Sequence, residues 1–266
     1  MSRKTQRTPR LTRREKILQD RLAASALAAQ SAESPQPRFQ PFKLEPMNSR
    51  QNAAMSMLRA GKLITILAGS AGTGKSIIAV ERAASLIREK KIKKVYLVRP
   101  PEGMGKTIGL LPGDLKEKLT PFFAQTLRHF EKFLGKGYTA ACLADGKIEM
   151  MAAEHIRGVS FEDCFVIIEE AQNFPEEHFE TVLTRLGENC QIVFTGDERQ
   201  NDLKGKSGLR ATVAKIQHTV QTEPAYLTDA DLDELEQGIG VVQFLPEDVV
   251  RHGLTRALVK MYYYQS

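Results

Sequence analysis

Four short apolar runs punctuate the chain: LITIL (63–67), VYLV (95–98), FVII (165–168) and QIVFT (191–195). None alternates apolar with polar residues, as a strand with one wet face would. Continuous β-rich runs of this length predict strands covered on both sides. Between them, residues 75–90, 114–135 and 175–187 read as helical stretches. Strands alternating with helices predict a mostly parallel sheet with right-handed crossovers, an α/β fold with helices on both faces. The pattern starts at Asn48. Upstream, residues 11–30 have helical spacing, and SAESPQPRFQPFKLEP (31–46) carries four prolines among polar residues, which argues against a packed element. The expected organisation is an arm over 1–45 and one domain over 46–266, with no internal repeat.

Charge sharpens that boundary. The net charge is +6, yet residues 1–44 hold ten Lys/Arg and three Asp/Glu, an excess of +7 that leaves −1 for the rest. Such an arm suits a disordered solubilising tail and equally a grip on an anionic polymer through counterion release. No apolar run approaches the ~20 residues needed to cross a bilayer, and the N-terminus lacks the apolar stretch of a secretory signal. Cys142, Cys164 and Cys190 are widely spaced, without a CxxC or a paired histidine. They read as reduced, mostly buried residues of a cytoplasmic protein.

Two GK[ST] triplets lie within the first 107 residues. A loop that binds phosphate must point several backbone N–H groups at one anion, with a strand delivering the chain and a helix leaving it. GSAGTGKS (69–76) meets these conditions: LITILA precedes it and KSIIAVERAASLI follows. The loop Gly69, Ser70, Ala71, Gly72, Thr73, Gly74, Lys75 and Ser76 is thus the expected nucleotide cradle. Lys75 is expected on the β- and γ-phosphates and Ser76 on Mg2+. The second triplet, in PPEGMGKTIGLLPGD (100–114), has Pro100 where the motif requires glycine, and no helix follows at once. It reads as a loop in which Arg99 and Lys106 are candidate contacts to a phosphate chain.

Nucleotide hydrolysis also needs a carboxylate for the metal and a base for water. FVIIEEAQN places Glu169 and Glu170 at the end of a buried strand, the first expected at Mg2+ and the second at the attacking water. QIVFTGDERQ brings Asp197 and Gln200 to a neighbouring strand end, with Gln200 a candidate γ-phosphate sensor. Arg185, in HFETVLTRLG, ends a helix. It caps carbonyls there or serves as a phosphate sensor or a finger reaching a neighbouring subunit. TDADLDELE (228–236) looks like a calcium loop, but Glu234 and Gly240 stand where the loop needs Gly and Glu. A Thr228 cap on an acidic first turn is the better account.

GSAGTGKS, RPPEGMGKTIGLLPGDLKEKLTPF, RGVSFEDCFVIIEEAQN, LTRLG, TGDERQNDLKGKSGL and DVVRH, in this order, resemble the PhoH family of P-loop ATPases over residues 47–262. That family is similar in its core to superfamily-one helicases, and its members are associated with phosphate starvation and RNA metabolism. The resemblance implies a RecA-like P-loop NTPase sandwich, with Glu169–Glu170 as the Walker B pair and Gly196–Gln200 as a helicase-like motif. It makes Gln51 a candidate adenine contact. The family usually has Asp-Glu where this chain has Glu169-Glu170. With room for one RecA-like domain, the resemblance further implies a ring of copies such as a hexamer, in which Arg185 or Arg251 acts in trans.

The leading expectation is a Mg2+-dependent ATPase that moves on single-stranded RNA or DNA as a helicase or translocase. The alternative is an ATPase that regulates a protein partner such as a nuclease without moving nucleic acid. A small-molecule kinase lacks its lid arginines here, and a GTPase lacks an NKxD motif.

Overall fold

β1 (Ile64–Gly69) is buried along its whole length. In the computed structural model, which describes residues 39–100, 115–200 and 207–265, it lies one strand from the edge of a six-stranded sheet. The other strands are β2 (Lys94–Arg99), β3 (Ile148–Ala152), β4 (Cys164–Ile168), β5 (Cys190–Gly196) and β6 (Ile239–Phe244). Their order is β3-β2-β4-β5-β1-β6, and every pairing is parallel. A parallel neighbour requires a crossover, and helices supply most of them.

Alternation along each strand sorts the core into two layers. Leu67, Phe165 and Ile167 face one cluster, with α1 (Ser49–Ala60), α2 (Lys75–Arg88) and α3 (Leu115–Leu134) packed on that side. Ile66, Val166 and Ile168 face the other, against α5 (Glu176–Leu183) and α6 (Gly208–Thr222). Phe179 stacks on Phe194 in that second layer, 4.8 Å between ring centres. Helices on both faces of a parallel sheet make the expected three-layer sandwich. Residues Pro41–Ser266 form one compact unit, to which Phe42 is tied by its N–H on the Lys132 carbonyl and its ring against Phe133.

All four expected strands and all three expected helices are present. Two strands went unpredicted. β3 is IEMMA, whose Met and Ala residues carry little strand preference, and β6 has a glycine at its second position. The remaining helices are α4 (Lys136–Ala144), α7 (Asp229–Gly238) and α8 (Gly253–Tyr264). At α7, Thr228 accepts from the Asp231 N–H while the Asp231 carboxylate accepts from Thr228, a reciprocal capping box. The three cysteines are buried and unbridged. No helix among the described residues is long and apolar enough to cross a membrane. The basic segment through residue 38 and the second GKT lie outside the described residues.

Candidate nucleotide site

The phosphate loop is shaped by its neighbours as much as by its own sequence. Gly69 ends β1 beside β6 with φ +123°, and a Cβ there would stand 2.0 Å from the Phe244 carbonyl oxygen. Only glycine lets the two backbones approach so closely. Gly72 has φ +83°, and its open side is covered by Arg251, whose Nε would lie 2.8 Å from an added Cβ. The Val250 N–H donates to the Gly72 carbonyl at 3.1 Å, so the segment between β6 and α8 clasps the loop. Gln51 clasps it from the other side. Its Nε2 donates to the Thr73 carbonyl at 2.9 Å, while its Oε1 accepts from the Met47 N–H at 2.7 Å.

Lys75 opens α2 and folds back over the loop, donating to the carbonyls of Gly69 at 2.6 Å and Ser70 at 2.8 Å. Burial lowers its pKa from the usual lysine range to about 8, against the opposing pull of Asp197 and Glu170. Ser76 lines the same cleft, which has a volume of about 350 Å³.

The acids arrive from β4. Glu169 is 7 % exposed. Its Oε1 accepts a short hydrogen bond from the Thr126 hydroxyl on α3, and its Oε2 is 3.9 Å from Arg99 Nε. Burial raises the Glu169 pKa, partly opposed by Thr126 and Arg99. A buried carboxylate whose charge is disfavoured fits a site that receives a cation. Glu170 has a left-handed backbone, φ +53°. Its Oε1 pairs with Arg99 Nη2 at 2.9 Å and its Oε2 accepts from Gln172 Nε2 at 2.7 Å. Gln172 Oε1 in turn accepts from the Asp197 N–H at 3.0 Å, joining β4 to β5. Asp197 and Gln200 line the cleft opposite the loop, with the Gln200 N–H on the Asp197 carbonyl.

The cleft thus gathers Ala71, Gly72, Gly74, Lys75, Ser76, Arg99, Glu169, Glu170, Gln200 and Arg251 from the expected set. The placement of four of the expected residues is as follows. Arg99, expected on nucleic acid, has its guanidinium in the cleft between the two glutamates and on the Phe122 carbonyl, so its donors are turned toward acids. Arg251, expected in trans, covers the loop of its own chain. Gln51 has both ends of its amide engaged with the backbone, which makes it a brace for the loop. Arg185 follows α5, away from the cleft, with its Nη1 3.4 Å from the Val159 carbonyl. Lys106 lies outside the described residues.

Sequence reasoning missed Thr126 and Gln172. Gln172 is two residues beyond Glu170 in a segment that curls back, so proximity was a usable signal. Nothing marks Thr126, which sits within an amphipathic helix. The Arg99 placement follows from the strand register: Val98 pairs with Ile168, which puts the residues after them side by side.

The family described as PhoH-like protein matches residues 43–263. A PhoH-like protein of Bacillus subtilis is 37% identical over 196 residues, 73% of this chain and 56% of that protein. Protein PhoH of Escherichia coli K12 is 31% identical over 223 residues, 82% of this chain and 58% of that one. The chain therefore spans a little over half the length of these relatives. Among solved structures, the large terminase of a thermophilic bacteriophage is a distant likeness of fold: TM-score 0.46, 16% identity, 82% of this chain and 50% of that one. Because the family match runs through the whole described body, from the residue after Phe42 to the last turn of α8, the chain belongs to the PhoH family.

Proposed function

We propose that the protein is an ATP phosphohydrolase dependent on Mg2+ that works on single-stranded RNA or DNA as a ring of copies. One observation carries the hydrolytic reading. Ala71, Gly72, Gly74, Lys75 and Ser76 of the loop line one cleft together with Glu169 and Glu170, which gathers the groups that phosphoryl transfer to water uses.

In this reading the backbone N–H groups of the loop receive the β- and γ-phosphates. Lys75 exchanges its bonds to the Gly69 and Ser70 carbonyls for phosphate oxygens. Ser76 and Glu169 would hold Mg2+, which neutralises phosphate charge where the leaving group forms. Glu is one methylene longer than the family's usual Asp, and coordination through water accommodates the difference. Glu170 takes a proton from the attacking water as the bond from the γ-phosphorus to the β–γ bridging oxygen breaks, giving ADP and phosphate. Arg251 adds charge beside the loop from the same chain, and Gln200 orients the γ-phosphate end. Arg185, remote from its own cleft, is the candidate to reach a neighbour's, which makes the ring part of the catalytic unit. The basic arm over residues 1–45 and the segment carrying Lys106 hold the nucleic acid.

A second reading keeps the hydrolysis and replaces the nucleic acid with a protein partner such as a nuclease. It is favoured by α8, where Leu254 (65 % exposed), Leu258 and Met261 recur at helical spacing on the surface. That helix begins two residues after Arg251, which lines the cleft. The deciding experiment is ATP turnover by the purified protein with Mg2+, with and without single-stranded RNA, alongside its mass in solution. Stimulation by RNA supports the first reading. Turnover indifferent to RNA, with nucleotide-dependent capture of a protein, supports the second. Absence of Mg2+-dependent turnover overturns both.

A further inference from the structure

A second recess, of about 220 Å³, opens between the 3-10 turn Ala153–Gly158 and α5. It has room for about seven waters and falls short of the roughly 300–1,000 Å³ of sites that take a whole cofactor. Its occupant is therefore one ring or one side chain. Ile156 and Val182, both buried, line it, together with four polar residues: Glu154, Arg157, His178 and Thr181. We propose that this recess binds a single unstacked nucleobase of a single-stranded nucleic acid. The inference rests on the nucleic-acid part of the function proposed above and names a place where the strand is gripped.

The hydrogen-bonding groups around the recess define what fills it. Among the described residues, the side chains of Glu154 and Arg157 have no ion pair or hydrogen bond, and His178 Nδ1 is buried without a partner. A buried polar nitrogen left unpaired is uncommon in a folded protein and calls for an explanation. Thr181 donates its hydroxyl proton to the Glu177 carbonyl at 2.8 Å, so its oxygen is left as an acceptor. The Phe174 ring backs the imidazole edge-on, with centres 6.0 Å apart. Free groups of both signs thus share one small space. A cationic ligand is repelled by Arg157, an anionic one by Glu154, and an aliphatic one leaves the polar groups unpaired. An amide side chain has the right polarity but leaves most of the volume empty. A nucleobase is flat and uncharged, and its edges set N–H donors beside carbonyl or ring-nitrogen acceptors. Arginine and histidine are also planes on which unstacked bases lie.

Position favours the same occupant. All the strands are parallel, so β3 ends on the side of the sheet where the nucleotide cleft lies. Its last residue, Ala152, pairs with Arg99 of that cleft, and the recess begins at the next residue. The other wall is α5, where His178, Thr181 and Val182 fall at i, i+3 and i+4 on one helix face. A strand held here lies beside the cleft without entering it.

The test measures, by fluorescence anisotropy, how the full chain binds two labelled single strands of equal length. One carries all four bases, and the other is the abasic sugar-phosphate strand. Phosphate contacts are common to both, so the ratio of affinities reports the bases. Wild type should prefer the base-bearing strand by about tenfold or more, the scale of one stacked base. Glu154→Ala, Arg157→Ala and Thr181→Trp, which fills the recess, should each cut that preference to about threefold or less. Affinity for the abasic strand should stay within about twofold, as a cycle isolating the base contact requires. An unchanged preference in all three variants, with strand binding intact, would overturn the base site. Equal weakening of both strands by Arg157→Ala would make that residue a phosphate contact and overturn it too. A preference lost together with a smaller mass in solution would assign the recess to a contact between copies, against the proposal. Should Thr181→Trp fail to fold, the variants at exposed Glu154 and Arg157 decide. Wild type that binds neither strand would remove the nucleic-acid reading and the base site with it, leaving ATP hydrolysis to stand by itself.

Discussion

The Arg251 side chain lies across Gly72 of its own chain, with Nε 2.8 Å from the position a Gly72 Cβ would occupy. Arg251 lines the cleft of its own chain, and Arg185 lines no part of it. Mixing experiments distinguish the two. Lys75→Ala mixed with Arg251→Ala should recover no turnover, because every intact loop sits in a chain lacking the arginine. Lys75→Ala mixed with Arg185→Ala should recover turnover if the neighbour supplies Arg185. Recovery in the first mixture would place Arg251 in trans.

Lys75→Ala should reduce hydrolysis at least about a hundredfold, the scale on which loss of one preorganised electrostatic group acts. Its titration adds a signature. With the Lys75 pKa lowered to about 8, the free protein sheds this proton above that pH, and phosphate binding restores it. Nucleotide affinity should therefore fall as pH rises above 8, and calorimetry near pH 8.5 in buffers of different ionisation enthalpy should show proton uptake. The stability of the free protein has the opposite sign. Between about 8 and 10.5 the unfolded chain holds the proton that the folded chain has lost, so folding becomes more favourable as pH rises.

Glu170→Gln should bind ATP and turn it over at least about tenfold more slowly than wild type, since an amide takes no proton from water. Unchanged turnover would remove Glu170 from the mechanism.

Glu169→Gln should melt at a higher temperature than wild type in the absence of nucleotide, while losing Mg2+-dependent turnover. Burial raises the Glu169 pKa, so the folded chain takes its proton more readily than the unfolded one. Stability is then present at low pH and lost as pH rises through the ordinary carboxylate range to the raised value. A neutral amide removes that loss. Thr126→Val acts the other way, leaving a buried oxygen without its donor at a cost of about 1–3 kcal/mol. Equal melting temperatures for wild type and Glu169→Gln would show that the carboxylate is not strained.

Deleting residues 1–44 should flatten the salt dependence of nucleic-acid binding by about 0.7 in log–log slope for each phosphate that the arm neutralises on a single strand. An unaltered slope would move the grip into the body of the protein.

Much of the site was legible because its chemistry is written in contiguous residues. GSAGTGKS needs its glycines and lysine within one turn, and IIEEAQN needs its acids directly after an apolar strand, so each motif carries its own context. β3 was not legible, since IEMMA becomes a strand by lying beside β2 and not through its own preference. In β6 the glycine at the second position interrupts a run otherwise rich in Ile, Val and Phe. Arg99 was read with the loop that follows it for a related reason. Along the chain it precedes a loop rich in Gly and Lys, whereas across the sheet it stands next to Glu169 and Glu170.

By itself, the sequence determined the alternation of strands and helices, the phosphate loop, the acidic pair and the family. These depend on periodicity and on residues close together in the chain, where local geometry dictates the outcome. Only the tertiary structure decided which arginine faces which acid, that Arg251 covers its own loop, that Gln51 bonds the loop backbone, and that Thr126 donates to Glu169. Those pairings join residues from 22 to 179 positions apart, the extremes being Gln51 with Thr73 and Arg251 with Gly72. Their partners are chosen by strand order and helix packing, which no short stretch of sequence contains.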